Sequence, residues 1–447
     1  MYQRPGDFEY KKFEIKNYNG DTIQLSPSVV ISLHIFESIF DPYIKAVAII
    51  NDTNSILESL PIIGQEEVSI MVKPIGLEEG QIDLKFIPYK ISDRLIPGMA
   101  KNSTYTLSMY QKDTVLGMKK SFSSAYSGSI SDIIKKLLKD TSLSPTKTRI
   151  TETLNKHNIL FPNTNLFESI AMLQNYAQSD LYKPSNFFFY QDHVNGYNFR
   201  PIAQMISGTP LQQPSKEGQG ASQNQKYYFT SDTAVSRLSD SSIFSMKGFE
   251  SIKDLDNFYN LQAGMFGSNL ISHDLVTKSW KRYTYDYQKE FSKENHLYKN
   301  KLIRNGTQII DFDNSERVIN HLLPTDSFRK DSKWVKDHKS TLDLDFGRHV
   351  EENYLSRKSY LLQMDYLKLN ISVIGDMRVV PGTVIELEFP DTSSTDNKRK
   401  NEKYSGKYLV TTVRHGFSLT EPRHLMHLEV VKDSFEKELT VDKKVKG

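Results

Sequence analysis

Apolar and polar residues alternate along much of the first hundred residues, and this period of two predicts β-strands. A bend at Leu60–Gly64 and the strand-ending Pro74 punctuate the pattern, and Asn19-Gly20 is a tight-hairpin signal near its start. Strands are expected at 29–39, 43–50, 68–73, 82–94 and 104–111. Several strands separated by turn residues predict a small antiparallel barrel over residues 1–124.

The period then changes to that of a helix. Ile130, Ile133, Ile134, Leu137 and Leu138 fall on one helical face, with Ser129 as the N-cap and Asp132 three residues later. A second helix is expected after Asn165, whose side chain can cap it while Glu168 reaches back. Phe187–Tyr190 and the turn Asn195-Gly196 then predict a hairpin. Residues 125–206 are therefore expected to form a small α+β domain.

The remaining chain is predicted to return to strands after a polar linker or loop at 207–226. Residues 227–287 read as the first part of a second β-barrel region, with strand-like segments at 243–249 and 258–287. An inserted polar region at 288–365 lacks a clear period except for a helix near 350–365. Alternation resumes at 366–432, the remainder of the second barrel, and a charged C-terminal tail covers 433–447.

The two groups of strands follow a similar order, with a glycine bend, a strand ending in proline and two further strands. This order predicts an internal duplication. Lys112-Asp113 and Lys432-Asp433 end the two groups, but aligning these pairs puts the apolar alternation one residue out of phase, so that match is discounted. The predicted fold is mainly β with α+β insertions, containing two similar antiparallel β-barrels of which the second is discontinuous.

Composition narrows the function. The 57 Lys and Arg against 54 Asp and Glu give a net charge of only +3, which predicts no strong attraction to nucleic acid. The absence of cysteine excludes disulfides and thiolate zinc sites and fits a chain made in a reducing cytoplasm. Met1–Asp7 hold no apolar signal-peptide core, and no stretch is long enough to span a bilayer, so no membrane insertion is expected.

The spacing and the neighbours of the histidines do not match those of a catalytic or metal-binding motif. His424 and His427 lie three residues apart in a predicted strand, so their side chains should face opposite sides and should not share a metal. His273-Asp274 is accompanied by no serine or cysteine motif, and neighbouring strand residues diverge. His273 is therefore expected to be a packing or surface residue.

The acidic and basic clusters are equally unspecific. Asp311–Glu316 and Asp343–Asp345 lack the glycine and terminal glutamate of a calcium loop, and no glycine-rich phosphate loop or dinucleotide fingerprint occurs. Lys398–Lys400 with Lys403 is expected to be a solvated hairpin tip. Basic residues interleave with aromatic ones in one further segment, which suits a strand better than base stacking; it comprises Lys278, Trp280, Lys281, Arg282, Tyr283, Tyr285 and Tyr287. We therefore predict a non-enzymatic protein with no catalytic residues, no cofactor and no bound metal.

Five stretches, in this order along the chain, resemble one family of structural proteins. They are Gln3–Gly6, Leu60–Val68, His273-Asp274 with Tyr285–Tyr287, Pro381-Gly382 and Gly406–Val410. The chain resembles the baseplate central hub proteins of contractile-tailed, T-even-like bacteriophages and, more distantly, the hub portion of VgrG spike proteins. The long polar region at 288–350 and the loop at 391–405 depart from that family.

The resemblance implies two tube-type barrels per chain and a homotrimeric ring in the tail baseplate of the virion, assembled in the host cytoplasm. Its six barrels would join a hexameric tail tube, or a tube-initiator protein, above to a trimeric central spike below. The lumen would pass DNA and tape-measure protein, and baseplate wedge proteins are further candidate partners. No spike-like segment follows residue 432, so the spike is expected to be a separate chain. The alternatives are a glycan-degrading or a host-receptor-binding tail-tip protein.

Overall fold

The fold was examined in a computed structural model. It describes residues 6–53, 55–60, 62–75, 81–96, 103–143, 147–211, 226–229, 245–275, 278–303, 318–322, 350–391, 400–419 and 423–439. Asp311–Glu316, Asp343–Asp345, Lys398, Arg399 and most of the 207–226 linker lie outside them.

The first strand set consists of the seven strands before residue 112 and one short helix, α1. They are β1 (Phe8–Lys16), β2 (Thr22–Gln24), β3 (Val30–Ser38), β4 (Lys45–Asp52), α1 (Ile56–Ser59), β5 (Glu67–Pro74), β6 (Ile82–Leu95) and β7 (Ser103–Gln111). The strands lie in the order β2-β1-β5-β6-β7-β4-β3, and their inward residues form one core that includes Phe13, Phe86 and Tyr105. The predicted strands are all present. The Asn19-Gly20 hairpin has a five-residue loop, 17–21, rather than a tight turn, and Asn17 and Asp21 close it by hydrogen bonds.

A small α+β unit follows directly on β7. It comprises α2 (Lys112–Lys119), β8 (Ser121–Phe122), β9 (Ala125–Gly128), α3 (Ile130–Asp140), β10 (Thr148–Ile150), β11 (His157–Leu160), β12 (Thr164–Asn165), α4 (Leu166–Gln174), β13 (Phe187–Asp192), β14 (Gly196–Pro201) and α5 (Ile202–Ile206). Both predicted helix caps are confirmed: Ser129 accepts from the Asp132 amide, and Asn165 and Glu168 form a capping box. β8 pairs with β12, so this unit includes residues before 125, the predicted boundary.

The second strand set is made of six strands. They are β15 (Lys226–Phe229), β16 (Ser245–Lys253), β20 (Leu367–Ile374), β21 (Val384–Glu388), β22 (Gly406–Ser418) and β23 (Arg423–Lys432). They pair in the order β22-β21-β15-β16-β20-β23, and β23 pairs again with β22, so the ladder returns to its first strand. Their inward residues, among them Ile371, Tyr408 and Leu428, form a second core.

The segment between β16 and β20 is a separate insertion. It contains α6 (Asn257–Ala263), β17 (Gly267–Asp274), β18 (Ser279–Asp286), α7 (Tyr287–Glu290), a 3₁₀ turn (Phe291–Lys293), β19 (Val318–Leu322) and α8 (Val350–Met364). The predicted helix near 350–365 is thus confirmed. The assignment of all of 227–287 to the second barrel is wrong, because β17 pairs with β18 and β19 in a sheet of their own.

Two local predictions in this half of the chain are corrected. Residues 257–263 form a helix rather than a strand, because the Asp256 side chain caps it and Gly264, at φ 84°, ends it. The first residues of the predicted charged tail are buried, with Asp433 and Ser434 both 0% exposed. The Asp433 carboxylate accepts from His296 Nδ1 at 2.8 Å and from the Leu297 amide at 3.2 Å, which holds this segment against the insertion.

The strand registers reveal a repeat between the two strand sets. Five strands of the first set correspond, in their order along the chain, to five strands of the second set: β3, β4, β5, β6 and β7 match β16, β20, β21, β22 and β23. The order in which they pair also matches, because β5-β6-β7-β4-β3 in the first set is equivalent to β21-β22-β23-β20-β16 in the second, and all these pairs are antiparallel. The predicted duplication therefore appears in the order of five strands.

Two β-bulges recur at matching places in the repeat. One lies between Pro88 and Lys90 in β6 and between Val410 and Thr412 in β22; the other lies at Val30–Ser32 in β3 and at Met246–Gly248 in β16. Because a bulge adds one residue and shifts the side-chain alternation, a shared bulge fixes the correspondence residue by residue. In this correspondence Lys112 matches Asp433, one residue away from the discounted Lys-Asp alignment.

Candidate functional site

The two strand sets are joined by one antiparallel pairing, which we call the joint. Ser32–Ser38 of β3 pair with Thr412–Ser418 of β22, from Ser32 opposite Ser418 to Ser38 opposite Thr412. β22 thus belongs to the ladder of the second set while Phe417, near its end, lies in the core of the first. The joint makes a single continuous sheet of the two sets.

One face of the sheet at the joint is open and polar. Four residues in neighbouring strands form a row across this face. They are Phe36 on β3, Arg414 on β22, His427 on β23 and Ser372 on β20, each opposite the next. The Arg414 guanidinium lies 5.6 Å from the Phe36 ring centre, and Ser372 Oγ is 2.9 Å from His427 Nδ1. These residues line a groove of about 560 Å³.

Burial and the nearby guanidinium of Arg414 both lower the pKa of His34 and His427 on this face, that of His34 to about 4. Both side chains are therefore neutral at pH 7, and Arg414 supplies the positive charge at the centre of the row. The polar side chains of this face can bond to solvent or to a polar partner.

The opposite face of the joint holds a buried polar cluster. Glu37 is 1% exposed, His415 is 0% exposed and His424 is 2% exposed, and the His193 side chain is fully buried beside Glu37. Glu37 Oε1 accepts from the His193 backbone amide at 3.1 Å and lies 2.8 Å from His193 Nδ1. His193 Nε2 is 2.8 Å from the Met377 carbonyl oxygen, and His415 Nδ1 is 3.1 Å from His424 Nε2. We call Glu37, His193, His415 and His424 the joint cluster.

The electrostatics of the cluster divide it into two pairs. Burial raises the pKa of Glu37, while the pKa of His193, which burial alone would lower, is raised by the adjacent Glu37 carboxylate. This pair therefore retains a proton at neutral pH. Burial lowers the pKa of His415 well below its usual range and that of His424 to about 3, so these two imidazoles are neutral.

The histidine candidates named from the sequence do not meet in an active site. His424 is buried and His427 lies exposed on the other face of β23, so the two are apart. His273 and Asp274 end β17, where Asp274 is buried and His273 is half-buried opposite Trp280.

The basic candidates within the described residues are paired or lie on strands. Lys400 contacts Glu388 at 3.1 Å, and Lys403 contacts Asp254 at 2.7 Å. Most of the segment of interleaved basic and aromatic residues forms strand β18, as predicted, whereas Lys278 precedes the strand and Tyr287 begins α7. Trp280 is 65% exposed, while Tyr285 points into the core.

Sequence reasoning missed Glu37, His193 and His415 because they lie far apart in the chain. A signal was present for two of them. Leu33, Ile35 and Glu37 occupy successive inward positions of β3, and His415 does the same between Val413 and Phe417 in β22. A charged or titratable residue at an inward position of an apolar alternation indicates a buried polar partner.

Two strands of the repeat each have an edge with no partner strand among the described residues. Beyond Phe86, β6 pairs only with β7, and from Gly248 onwards β16 pairs only with β20. Both edges carry exposed apolar side chains: Tyr89 and Leu95 on β6 are 54% and 69% exposed, and Phe249 and Ile252 on β16 are 42% and 47% exposed. Unpaired edges with exposed apolar residues are candidate surfaces for pairing with another chain.

Comparison with solved structures places this fold among phage tail proteins. The tail protein from Neisseria meningitidis MC58 is similar with a TM-score of 0.52 at 9% identity, covering 96% of this chain and 97% of that one. The 43 kDa tail protein of prophage MuSo2 from Shewanella oneidensis has a TM-score of 0.50 at 10% identity, covering 95% and 99%. A chain of the Francisella PdpA–VgrG complex has a TM-score of 0.45 at 10% identity, covering 98% and 59%.

The predicted resemblance to phage tail proteins is thus confirmed at the level of the fold. No protein-family model matches the chain, and no curated protein matches it in sequence. None of the helices in the described ranges is long and apolar enough to cross a membrane.

Proposed function

We propose that this chain is a structural baseplate hub protein that forms a trimeric ring between a hexameric tail tube and a trimeric central spike. The observation that carries the proposal is the repeat of five strands and two bulges in one chain. We take each strand set to be a tube-type barrel, so that three chains contribute six similar barrels around a lumen. A sixfold partner can then rest on the barrels, and a threefold partner can dock on the axis of the same trimer.

The proposed location is the tail baseplate of the virion, and the proposed role includes no catalysis. The fold shared with phage tail proteins supports this location. The face that contains Arg414 and His427 also carries Glu250, Asn370 and Glu429, and these polar side chains suit a surface past which DNA and tape-measure protein move.

The joint supplies a template for the contact between chains. At the joint, β3 pairs with β22. In the repeat, β16 is the counterpart of β3, and β6 is the counterpart of β22. The edges of β16 and β6 that would make the corresponding contact are the two unpaired edges described above. We therefore propose that β16 of one copy pairs antiparallel with β6 of the next, repeating the joint around the ring.

The register of this contact follows from the bulges. At the joint Phe36 lies opposite Arg414. β16 has one further bulge, between Ser251 and Lys253, that β3 lacks. Lys253 therefore corresponds to Phe36, because Lys253 pairs with Lys368 as Phe36 pairs with the matching Lys45. Ser92 corresponds to Arg414, two residues beyond the matched bulge. Ser92 of one copy should therefore lie opposite Lys253 of the next.

Cysteine cross-linking tests this contact directly, because the chain contains no cysteine of its own. Directly opposed residues of antiparallel strands lie about 4.5–5.5 Å apart at Cα, within the range of a disulfide. The double variant Ser92→Cys with Lys253→Cys, oxidised alone and with the spike protein, should give covalent dimers and trimers that stop at three chains. The matched control, Ser92→Cys with Lys281→Cys, places the second thiol on exposed strand β18 and should give no such series.

Native mass measurement of the unmodified chain, alone and with the spike, accompanies the cross-linking. A trimer in either sample supports the ring. A persistent monomer in both samples would refute the trimer. A trimer that forms without the Ser92–Lys253 cross-link would refute the proposed register while leaving the ring intact.

A further inference from the structure

The joint cluster has the composition of a metal site as well as that of a structural contact. One donor atom each from Glu37, His193 and His415 lies within 4.8 Å of the other two. We propose that these three residues bind a divalent first-row transition metal ion, Zn²⁺ being the best fit, at the point where the two strand sets and the α+β unit meet. The inference concerns a single chain and does not depend on the proposed trimer.

Two buried atoms in the cluster point to a missing ligand. Glu37 Oε2 and His415 Nε2 have no hydrogen-bond partner, although both side chains are almost wholly buried. An unpaired buried polar atom costs about 1–3 kcal/mol, so two in one place call for an explanation. A bound cation satisfies both, because a carboxylate oxygen and an unprotonated imidazole nitrogen are electron-pair donors.

The remaining nitrogens are already oriented as a metal site needs them. His193 Nε2 lies 2.8 Å from the Met377 carbonyl oxygen, so it is the protonated nitrogen and Nδ1 is the one that faces Glu37. His415 Nδ1 is bonded to His424 Nε2, which leaves His415 Nε2 as the donor. Histidine ligands of metals generally hold their second nitrogen in such a hydrogen bond, which fixes the ring and the tautomer.

The type of ion follows from the donor set and its geometry. Two imidazoles and a carboxylate suit Zn²⁺ and its neighbours, whereas Ca²⁺ and Mg²⁺ require oxygen ligands. Ligands about 2.0–2.2 Å from zinc lie roughly 3–3.5 Å apart, so donor atoms separated by as much as 4.8 Å must close in by about 1.5 Å. The ion would take the place of the proton that Glu37 and His193 share, and a water molecule can fill the fourth position.

Charge balance also favours a cation. The carboxylate of Asp192, 1% exposed, acts electrostatically on both Glu37 and His193. Its own oxygens accept from Val194, Asn195 and Asn198, so it is held in place as a nearby negative charge. Glu37 and Asp192 together match the two positive charges of the ion, which offsets the cost of burying it.

Bound there, the ion would fasten three parts of the chain. Glu37 lies on β3 of the first strand set, His193 follows β13 in the α+β unit, and His415 lies on β22 of the second strand set. An ion bound by all three would set the angle between these units.

The experiment titrates Co²⁺ into the full chain, purified without a histidine tag and freed of metal with a chelator, and follows the visible ligand-field bands. We expect one Co²⁺ per chain, displaced by Zn²⁺, and a rise in the unfolding midpoint with ion concentration. Glu37→Gln and His415→Gln should each weaken binding by at least the 10–100-fold that loss of a supporting residue costs. The matched controls are His34→Gln and His427→Gln, on the other face of the same sheet, and both should bind as the unmodified chain does.

Three results would overturn the proposal. They are no stoichiometric ion in the unmodified chain, equal binding by Glu37→Gln, and a loss of binding in the His34 or His427 control as large as in the cluster variants. If a variant of a buried residue fails to fold, the unfolding midpoint of the unmodified chain still tests the proposal. A midpoint that does not rise when Zn²⁺ is added would also refute the site.

Discussion

Phe417 is one of the side chains through which the second half of the chain enters the core of the first strand set, together with Met377 and Leu419. It is 0% exposed, and its ring centre lies 5.0 Å from that of Phe8 and 4.3 Å from that of His424. Replacing a fully buried phenylalanine by alanine costs about 3–5 kcal/mol through lost burial and the cavity left behind. Phe417→Ala is therefore expected to lower the free energy of unfolding by about 4 kcal/mol.

The shift in melting temperature reveals how the two strand sets are coupled. At about 2.1 cal/mol/K per residue, a cooperative unit of 447 residues has an unfolding entropy of roughly 0.9 kcal/mol/K, so 4 kcal/mol lowers Tm by about 4 °C. A first strand set that melts alone, with about 100 residues, would lose roughly 20 °C for the same change. Because β3 and β22 pair through the whole joint, we expect one transition and the smaller shift.

Scanning calorimetry with urea unfolding monitored by circular dichroism measures both quantities. The control is Tyr18→Ala, which truncates an aromatic ring that is 60% exposed in the β1–β2 loop and should change stability by no more than about 0.5 kcal/mol. A cost below about 1 kcal/mol for Phe417→Ala would refute the packing argument. Two separated transitions, of which only the earlier moves by roughly 20 °C, would refute the coupling through the joint.

Two further predictions concern single buried contacts. Burial raises the pKa of Glu294 from 4.5 to about 7, so between these pH values the unfolded chain loses a proton that the folded chain keeps. The free energy of unfolding should therefore fall by about 3 kcal/mol as the pH rises from 4.5 to 7. Urea unfolding at pH 5, 6 and 7.5 should show a smaller dependence on pH for Glu294→Gln, and an unchanged dependence would show that another group titrates. Gly375→Ala would place a Cβ 2.0 Å from His424 Nδ1 and should lower the free energy of unfolding by about 1–3 kcal/mol. The control Gly248→Ala has nothing within 4 Å of its Cβ and should leave stability nearly unchanged. Equal thermal stability of the two variants would contradict the described position of the His424 ring.

The elements that the sequence predicted well are those whose signals are local. The capping residues Ser129 and Asn165 fix where two helices begin, and the alternation around Leu369 and Ile371 fixes a strand and its buried face. Residues 257–263 were misread because Phe258 and Tyr259 are aromatic residues on an exposed helix, 83% and 54% exposed, and suggested a strand by composition.

The elements that could not be predicted depend on which distant segments meet. β17 and β18 have the composition of strands, but composition does not say that they pair with β19 rather than with β16. The burial of Asp433 likewise requires His296, more than a hundred residues away in the sequence, to lie beside it. The joint cluster unites residues from three parts of the chain, and each taken alone is an ordinary glutamate or histidine.

The repeat survives in the registers because bulges constrain a sheet more strictly than side-chain identity does. A strand can exchange one apolar residue for another at small cost, but losing a bulge moves every later side chain to the other face. The matched bulges of β6 and β22 therefore preserve which residues face the core, while Lys112 and Asp433 occupy equivalent positions with opposite charge.

The joint and the proposed contact between chains involve equivalent strands of the repeat, but they differ in their buried polar residues. Glu37 and His415 lie buried at the joint. The position that corresponds to Glu37 is Asp254, which contacts Lys403 at 2.7 Å, and the residue after Ser92, at the place of His415, is the exposed Asp93. A buried polar cluster needs all its partners in place as the sheet forms, because each unpaired member is costly. Such a cluster suits a contact that forms once, within the folding chain. The edges of β6 and β16 carry no such cluster among their described residues and can remain exposed until another copy arrives.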